Sequence, residues 1–279
     1  MPVTSNGVPL HAAPAPMRVS SPGDADLRQR FARDGYVLLR EVLCRSEVLG
    51  MRRAYFDAFP AAYCAAGTQP WEGIWSGHQP PELLPHGVPG HPAYDFVRST
   101  TFAALAASPA LLRIARQLLG NDDVVTLPRQ IVRHYHWGPA ASRAHTDFDY
   151  LDPGSHQLIT MWIPLGDSPL QCGGLAYLEG SHRVPWAQLE KLRRQHTDRP
   201  HDPRPLSHDL SWISRQLGGR WLYSDYRAGD IVIHCPYLVH ATFDNTCDVM
   251  RLSADIRFTP AAATPDPRWL RPWSGDDGN

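Results

Sequence analysis

The sequence predicts an α+β chain, with helices first and a sandwich or jelly roll of short strands after them. Three observations carry that reading. Apolar spacing is helical up to about residue 120 and becomes short apolar or alternating runs beyond it. The chain has 27 prolines, which favours many loops and short elements over long helices. Its 279 residues, 43% hydrophobic and 20% charged, are enough for a sizeable core of ordinary globular composition.

Taken in order, residues 1–23 are rich in Pro, Ala, Ser and Gly without periodicity and read as a mobile tail. Asp24 or Asp26 can cap a helix over 27–34 that Gly35 stops, and Tyr36-Val-Leu-Leu39 reads as a buried strand. Ser46 is the expected cap of a helix running to about Phe59. Residues 60–94 form a long loop rich in Pro, Gly and Trp, more in keeping with a functional cover than a spacer. Ser108 and Gly120 bracket a helix over 109–119.

Strands are then expected at 124–126, 130–137, 144–148, 158–164, 175–178, 219–223, 230–234 and 251–259, punctuated by Pro, Gly and Asn. The segment 183–227 interrupts them as an insertion with nine Lys/Arg against five Asp/Glu. It reads as a solvated surface segment or as an approach to an anionic substrate group. Together these give a single domain over 24–260 with 60–94 and 183–227 as loop insertions, and a C-terminal tail over 261–279.

Several function classes are disfavoured. A formal charge of −1 gives no electrostatic case for nucleic acid or a membrane surface. No apolar run is read as long enough for a bilayer span, and the first residues lack the basic and apolar regions of a secretory signal. Five cysteines, an odd number without a CxxC pair, argue against a zinc knuckle or a disulfide framework and fit a reducing cytoplasm.

The chemistry centres on His145-Thr146-Asp147. On an extended strand, positions i and i+2 share a face, so an imidazole and a carboxylate sit side by side. One further histidine would complete the two-His-one-carboxylate set that suits non-haem Fe(II) and leaves positions open for co-substrate and oxygen. Two candidates follow the apolar strand Ile231-Val-Ile233, namely His234 and His240. On the next strand Arg251 and Ser253 share a face opposite Leu252, Ala254, Ile256 and Phe258. An arginine beside a hydroxyl there is placed to hold a carboxylate.

His145-x-Asp147, then His240, then Arg251-x-Ser253 with strands between them resembles the phytanoyl-CoA dioxygenase family of Fe(II)/2-oxoglutarate oxygenases. The resemblance extends from about Arg28 to Phe258. It includes the opening Phe31-Ala-Arg-Asp-Gly-Tyr-Val-Leu-Leu39, the stretch from Trp162 to a Gly-Ser-His turn ending at Arg183, and eleven residues from His240 to Arg251. It implies a double-stranded β-helix, a cupin-like jelly roll, with helices packed outside. It also implies that His145, Asp147 and His240 bind Fe(II), that Arg251 and Ser253 take the distal carboxylate of 2-oxoglutarate, and that Trp162 and Thr242 line its pocket. His182, in the Gly-Ser-His turn, is expected to be structural.

The implied reaction is oxidation of an unactivated C–H bond with O2, giving succinate and CO2 as co-products. Related halogenases replace the carboxylate ligand with a small residue, so Asp147 implies hydroxylation, desaturation or ring closure instead. A metal hydrolase or isomerase on a similar barrel has no use for a carboxylate anchor at Arg251, and retention of every ligand argues against an inactive binding protein. Substrate candidates are Gln130, His134 and Tyr135 from strand position, and Phe148, Tyr150, Trp221 and Tyr223, with Trp71 and Trp75, as an aromatic lining. The expected substrate is a small metabolite, anionic or thioester-linked.

Overall fold

The computed structural model describes residues 2–151, 157–195 and 202–275. Its strands are β1 (Thr4–Ser5), β2 (Val8–Pro9), β3 (Ala15–Pro16), β4 (Val19–Ser20), β5 (Tyr36–Leu39), β6 (Val124–Thr126), β7 (Ile131–Tyr135), β8 (Ile159–Pro164), β9 (Leu175–Leu178), β10 (Trp221–Tyr223), β11 (Ile231–His234), β12 (His240–Thr242) and β13 (Arg251–Pro260). Its helices are α1 (Leu27–Asp34), α2 (Arg45–Phe56), α3 (Pro92–Phe96), α4 (Thr100–Ala106), α5 (Pro109–Leu119), α6 (Phe148–Leu151), α7 (Trp186–Gln195) and α8 (Leu210–Leu217).

Two sheets define the architecture. The larger runs β4-β5-β11-β8-β13-β6, with β7 also paired to β13, and the smaller runs β12-β9-β10-β3. Strand alternation decides what each face of the large sheet meets. Val37, Leu39, Met161, Ile163, Ile231, Ile233, Leu252 and Ala254 belong to one core shared with α1, α2, α4 and α5. Tyr36, Leu38, Trp162 and Val232 belong to a second core shared with Leu175 to Leu178 and Trp221 of the small sheet and with Phe243 just after β12. A sheet buried on both faces explains why β5 and β11 read as nearly continuous apolar runs. This is the jelly-roll sandwich with helices packed outside.

Tertiary context overrides several local expectations. Residues 4–20, expected as a mobile tail, carry four short strands: β3 adds to β10 in parallel and β4 adds to β5. These strands are two residues long and exist through their partners, so no local pattern announces them. The C-terminal tail is likewise tied down, because Trp269 and Trp273 are buried in the first core. The insertion 183–227 holds α7, α8 and β10, and the start of the 60–94 loop holds tight turns at 61–63 and 70–72, with α3 at its end. Helix α2 starts at Arg45 with Cys44 ahead of it, one residue before the expected Ser46 cap, and stops at Phe56. Residues 144–148 form single backbone bridges and then a helical turn instead of a strand, and Gln130 lies just outside β7.

The apolar stretch 100–119 has a mean hydropathy of 1.2, long and apolar enough by composition to span a bilayer, contrary to the reading above. Pro109 divides it into α4 and α5, whose Phe102, Leu105, Leu111, Ile114 and Leu118 pack into the first core. Gly35, which ends α1, has φ +78, and a Cβ there would stand 2.7 Å from Nδ1 of His182. His182 therefore packs against the α1–β5 corner.

Candidate metal and co-substrate site

The site forms between the two sheets, and the pairing of three neighbouring strands builds much of it. On the large sheet, Thr160 of β8 lies opposite His234 of β11 on one side and opposite Arg257 of β13 on the other. All three point to the inner face because each falls on the polar phase of an otherwise apolar strand. The small sheet brings His240 on β12, and residue 145 pairs with it through two reciprocal backbone hydrogen bonds of 2.9 Å. Asp147 follows, and the chain then turns into α6, where Tyr150 N bonds the Asp147 carbonyl.

Ligand atoms of His145, Asp147 and His240 all lie within 4.8 Å of one another. The two imidazoles are held in the same way. Nδ1 of His145 donates to Arg143 O at 2.6 Å and Nδ1 of His240 donates to Leu238 O at 2.9 Å. A carbonyl only accepts, so each Nδ1 carries the proton and each Nε2 offers a lone pair to the centre. Burial, then the neighbouring His145 and His234, keep His240 well below its ordinary pKa, so it is neutral and competent as a ligand.

Asp147 is held as an anion. Burial alone would raise its pKa, but Arg257, His234 and His240 outweigh burial and hold it well below the usual carboxylate range. Its Oδ2 accepts from Thr160 Oγ1 at 2.6 Å and lies 3.4 Å from His234 Nε2 and 3.7 Å from Arg257 Nη2; its Oδ1 is 3.6 Å from His240 Nε2. The two histidines that follow the apolar strand occupy different places. His234 shares a hydrogen bond with the Tyr177 hydroxyl through Nδ1 at 2.8 Å and stands behind Asp147, whereas His240 completes the cluster.

An inner cavity runs from this cluster to Arg251 and is lined also by Trp162, Thr242, His234 and Arg257. Arg251 is fully buried, lies 4.1 Å from the Tyr135 ring centre, and donates through Nη1 to Gly173 O at 2.8 Å. Burial lowers its pKa, and its Nε has no hydrogen-bond partner among the described residues. The buried Ser253 hydroxyl, two positions along the same face, also has none. Unsatisfied donors in a closed space call for an anion, since leaving them unpaired costs about 1–3 kcal/mol or more each. Thr242 accepts from Ser142 N at 2.6 Å.

A second, outer cavity of about 240 Å3 meets the same cluster at His145 and Asp147 and is walled by Arg133, Tyr135, Arg143, Tyr150, Arg257 and Trp269. Tyr150 places its ring edge-on to His145 at 5.4 Å between centres. Of the substrate candidates, Tyr135 and Tyr150 therefore reach the site, and the others do not line either cavity. His134 faces the opposite side of β7, hydrogen-bonded to Tyr55 and Tyr63 amid Phe56 and Phe59. Phe148 stacks on Tyr237. Trp221 donates to Leu210 O and Tyr223 to Ser168 O, both inside the second core. Trp75 stacks on His136, and Trp71 is 40% exposed with its carbonyl bonded to Arg52. These aromatics are core and loop packing.

Thr160, Tyr177, Arg133 and Arg257 were not singled out from sequence. Arg257 had a usable signal: it continues the alternation of Arg251 and Ser253 on a strand whose other face is wholly apolar. Thr160 had none, because its value lies in the register between strands that are distant in the chain.

The family model described as phytanoyl-CoA dioxygenase (PhyH) matches residues 31–253. Among curated proteins the chain is 26% identical over 195 residues to 1-deoxypentalenic acid 11-beta-hydroxylase of Streptomyces exfoliatus, covering 64% of this chain and 63% of that protein. It is 25% identical over 177 residues to the protein of the same name in Streptomyces arenae, covering 59% of each. The chain thus matches less than two thirds of these relatives' length. Among solved structures it resembles the epimerase SnoN in complex with Fe3+, alpha ketoglutarate and nogalamycin RO, with a TM-score of 0.57, 22% identity, and coverage of 85% of this chain and 83% of that one. It also resembles EvdO2 from Micromonospora carbonacea var. aurantiaca complexed with 2-oxoglutarate, with a TM-score of 0.54, 24% identity, and coverage of 89% and 97%. At such identities the likeness establishes a shared fold.

Proposed function

The chain belongs to the phytanoyl-CoA dioxygenase family, and from that premise we propose that it is an Fe(II)- and 2-oxoglutarate-dependent oxygenase that oxidises a C–H bond of a small molecule. The observation that carries the reading is the cluster of His145, Asp147 and His240, with both imidazoles locked so that Nε2 faces the carboxylate. Two neutral nitrogens and one carboxylate form the donor set suited to non-haem Fe(II). When bound, the metal supplies activation of O2 for attack on an unactivated C–H bond, while 2-oxoglutarate is converted to succinate and CO2.

The protein's contribution is placement and charge. His145, Asp147 and His240 would hold the metal, and Thr160 tethers Oδ2 of Asp147 while Oδ1 stays on the His240 side. Arg251 receives the distal carboxylate of 2-oxoglutarate, with the Ser253 hydroxyl beside it; the Gly173 carbonyl holds the guanidinium in place. Trp162 and Thr242 close the inner cavity around the co-substrate and limit water there. Substrate enters the outer cavity, whose lining includes Tyr135, Tyr150 and His145. Asp147 fills the coordination position that a halogenase would leave vacant, so hydroxylation, desaturation or ring closure is the expected outcome. The matched curated relatives carry names of hydroxylases, in keeping with the first of these.

The test is stoichiometric. With Fe(II), 2-oxoglutarate, O2 and a pool of small metabolites, the wild-type protein should form succinate and one product whose mass is raised by one oxygen, or lowered by two hydrogens. Asp147→Ala should form neither. Succinate formation that persists in Asp147→Ala, or turnover without O2 and 2-oxoglutarate, would overturn the proposal.

A further inference from the structure

Arg257, beside Asp147, has more hydrogen-bonding capacity than the described residues use. It is 3% exposed, its Nε and Nη1 have no hydrogen-bond partner among the described residues, and it lines both cavities. Its guanidinium carbon lies over the Trp269 ring, 4.3 Å from the ring centre, and Trp269 is fixed in turn by core packing and by donation of its Nε1 to Tyr150 O. Its Nη2 lies 3.7 Å from Asp147 Oδ2, an ion-pair distance beyond hydrogen-bond length. Asp147 offsets part of the cost of burying this guanidinium, but Nε and Nη1 are left without partners among the described residues, so hydrogen-bonding capacity remains for a further anion.

Charge balance says what kind of partner. Around the cluster, Arg133 is matched by Asp255 at 2.9 Å. With Fe(II) and doubly charged 2-oxoglutarate bound, Asp147 and the co-substrate cancel the metal and only one of the two arginines Arg251 and Arg257. One positive charge remains, and Arg251 is committed to the co-substrate. Among Asp147, Arg251 and Arg257 that residual charge falls to Arg257, at the wall shared with the outer cavity; Arg143 adds a further positive side chain to that cavity, and Asp202 there is paired with Arg204. That cavity has room for about eight waters at ~30 Å3 each, the scale of a small organic molecule.

We propose that Arg257 anchors a carboxylate on the substrate, so that the enzyme oxidises small organic acids. The proposal rests on the reading of the cluster as an Fe(II)/2-oxoglutarate site for its charge count. The guanidinium, with Nε and Nη1 unpartnered among the described residues, suits the paired oxygens of a carboxylate. An acid held there would have its carbon skeleton in the outer cavity beside His145 and Asp147. The other source of a carboxylate is the one next to the keto group of 2-oxoglutarate, and the experiment separates the two.

Calorimetric titration of the full chain would use cyclohexanecarboxylate, adamantanecarboxylate and decanoate, each against its methyl ester. It would be run first without metal and then under argon with Fe(II) and 2-oxoglutarate. In the wild type at least one acid should bind about 30-fold or more tighter than its ester, as expected for a buried charge pair. Arg257→Gln should lose that preference, read most cleanly in the metal-free arm where the effect of Arg257 on Asp147 does not reach a bound metal; Arg257→Lys should keep part of it. Equal binding of every acid and ester by the wild type would overturn the proposal, with no variant required. So would a selective loss of 2-oxoglutarate affinity in Arg257→Gln with acid preference intact. Acid preference in the metal-free protein, together with failure of Fe(II) to support 2-oxoglutarate binding, would uphold the Arg257 anchor and refute the oxygenase reading separately.

Discussion

Replacing Thr160 with valine removes one hydroxyl and keeps the shape of the side chain. In the structure that hydroxyl donates at 2.6 Å to Oδ2 of Asp147, with Thr160 and Asp147 1% and 5% exposed. A hydrogen bond to a buried charged acceptor contributes about 1.5–3 kcal/mol. Asp147 keeps His234, His240 and Arg257 within 3.4–3.7 Å, so the variant should fold with the carboxylate still ionised. What it loses is aim: one oxygen is no longer tethered, and the other is free to swing from the metal. The expected result is Fe(II) affinity weaker by about 10–100-fold, the usual effect of deleting an outer partner of a ligand. Thr160→Ser, which restores the hydroxyl, should stay within about threefold of wild type. Titration of Fe(II) under argon, with circular dichroism to verify folding, decides it. If folded Thr160→Val binds Fe(II) within twofold of wild type, Asp147 is not the tethered ligand described here.

Two other predictions concern the loop behind the co-substrate anchor and the pH range of stability. Gly173 has φ +69, and a Cβ there would run into Phe243 O and stand 2.7 Å from the Asp244 carbonyl, both rigid backbone. Gly173→Ala should cost about 1–3 kcal/mol in strain and clash, seen as a lower melting temperature. It should also weaken 2-oxoglutarate binding about tenfold with little change in Fe(II) affinity, because the Gly173 carbonyl holds Arg251; equal losses of both would contradict this. His91 caps α3 by accepting from Ala93 N at 3.0 Å, and burial, with His86 nearby, lowers its pKa from 6.5 to about 4. Its folded form thus stays neutral while the unfolded form takes a proton below 6.5. Stability from this residue is complete above 6.5 and is lost as pH falls toward 4, by up to about 3 kcal/mol. His91→Ser, which retains a capping oxygen, should lose less stability to urea between pH 7.5 and 5 than wild type does; parallel losses would show that His91 is not the titrating group.

The sequence carried the elements whose cause is local. Gly35 and Gly120, both with left-handed backbone, end α1 and α5 where the pattern puts them, and strict alternation along β13 separates Arg251 and Ser253 from the apolar face. The same alternation extended to Arg257 would have reached the outer cavity. Other parts depend on partners far along the chain. Strands β3 and β4 are recruited by β10 and β5, and Trp269 reaches Arg257 from a stretch with no periodicity. His234 and His240 could not be separated by spacing alone; the difference is that β11 belongs to the large sheet and β12 to the small one, opposite residue 145. The aromatic candidates other than Tyr135 and Tyr150 lie away from the two cavities for a related reason. Large aromatic side chains are favoured wherever two layers pack, and Trp221, Tyr223 and His134 sit in cores instead of cavities.

The central claim is that His145, Asp147 and His240 form a metal site coupled to a carboxylate anchor at Arg251. Its most direct measurement is 2-oxoglutarate binding under argon, with and without Fe(II), read by calorimetry and by the visible charge-transfer band of the chelate. Wild type should bind 2-oxoglutarate much more tightly with Fe(II) and show the band. His145→Ala, Asp147→Ala and His240→Ala should lose metal and band together, whereas Arg251→Gln should keep Fe(II) and lose 2-oxoglutarate affinity by about 30-fold or more. Binding of 2-oxoglutarate that is indifferent to Fe(II), or a band that survives in Asp147→Ala, would contradict the account.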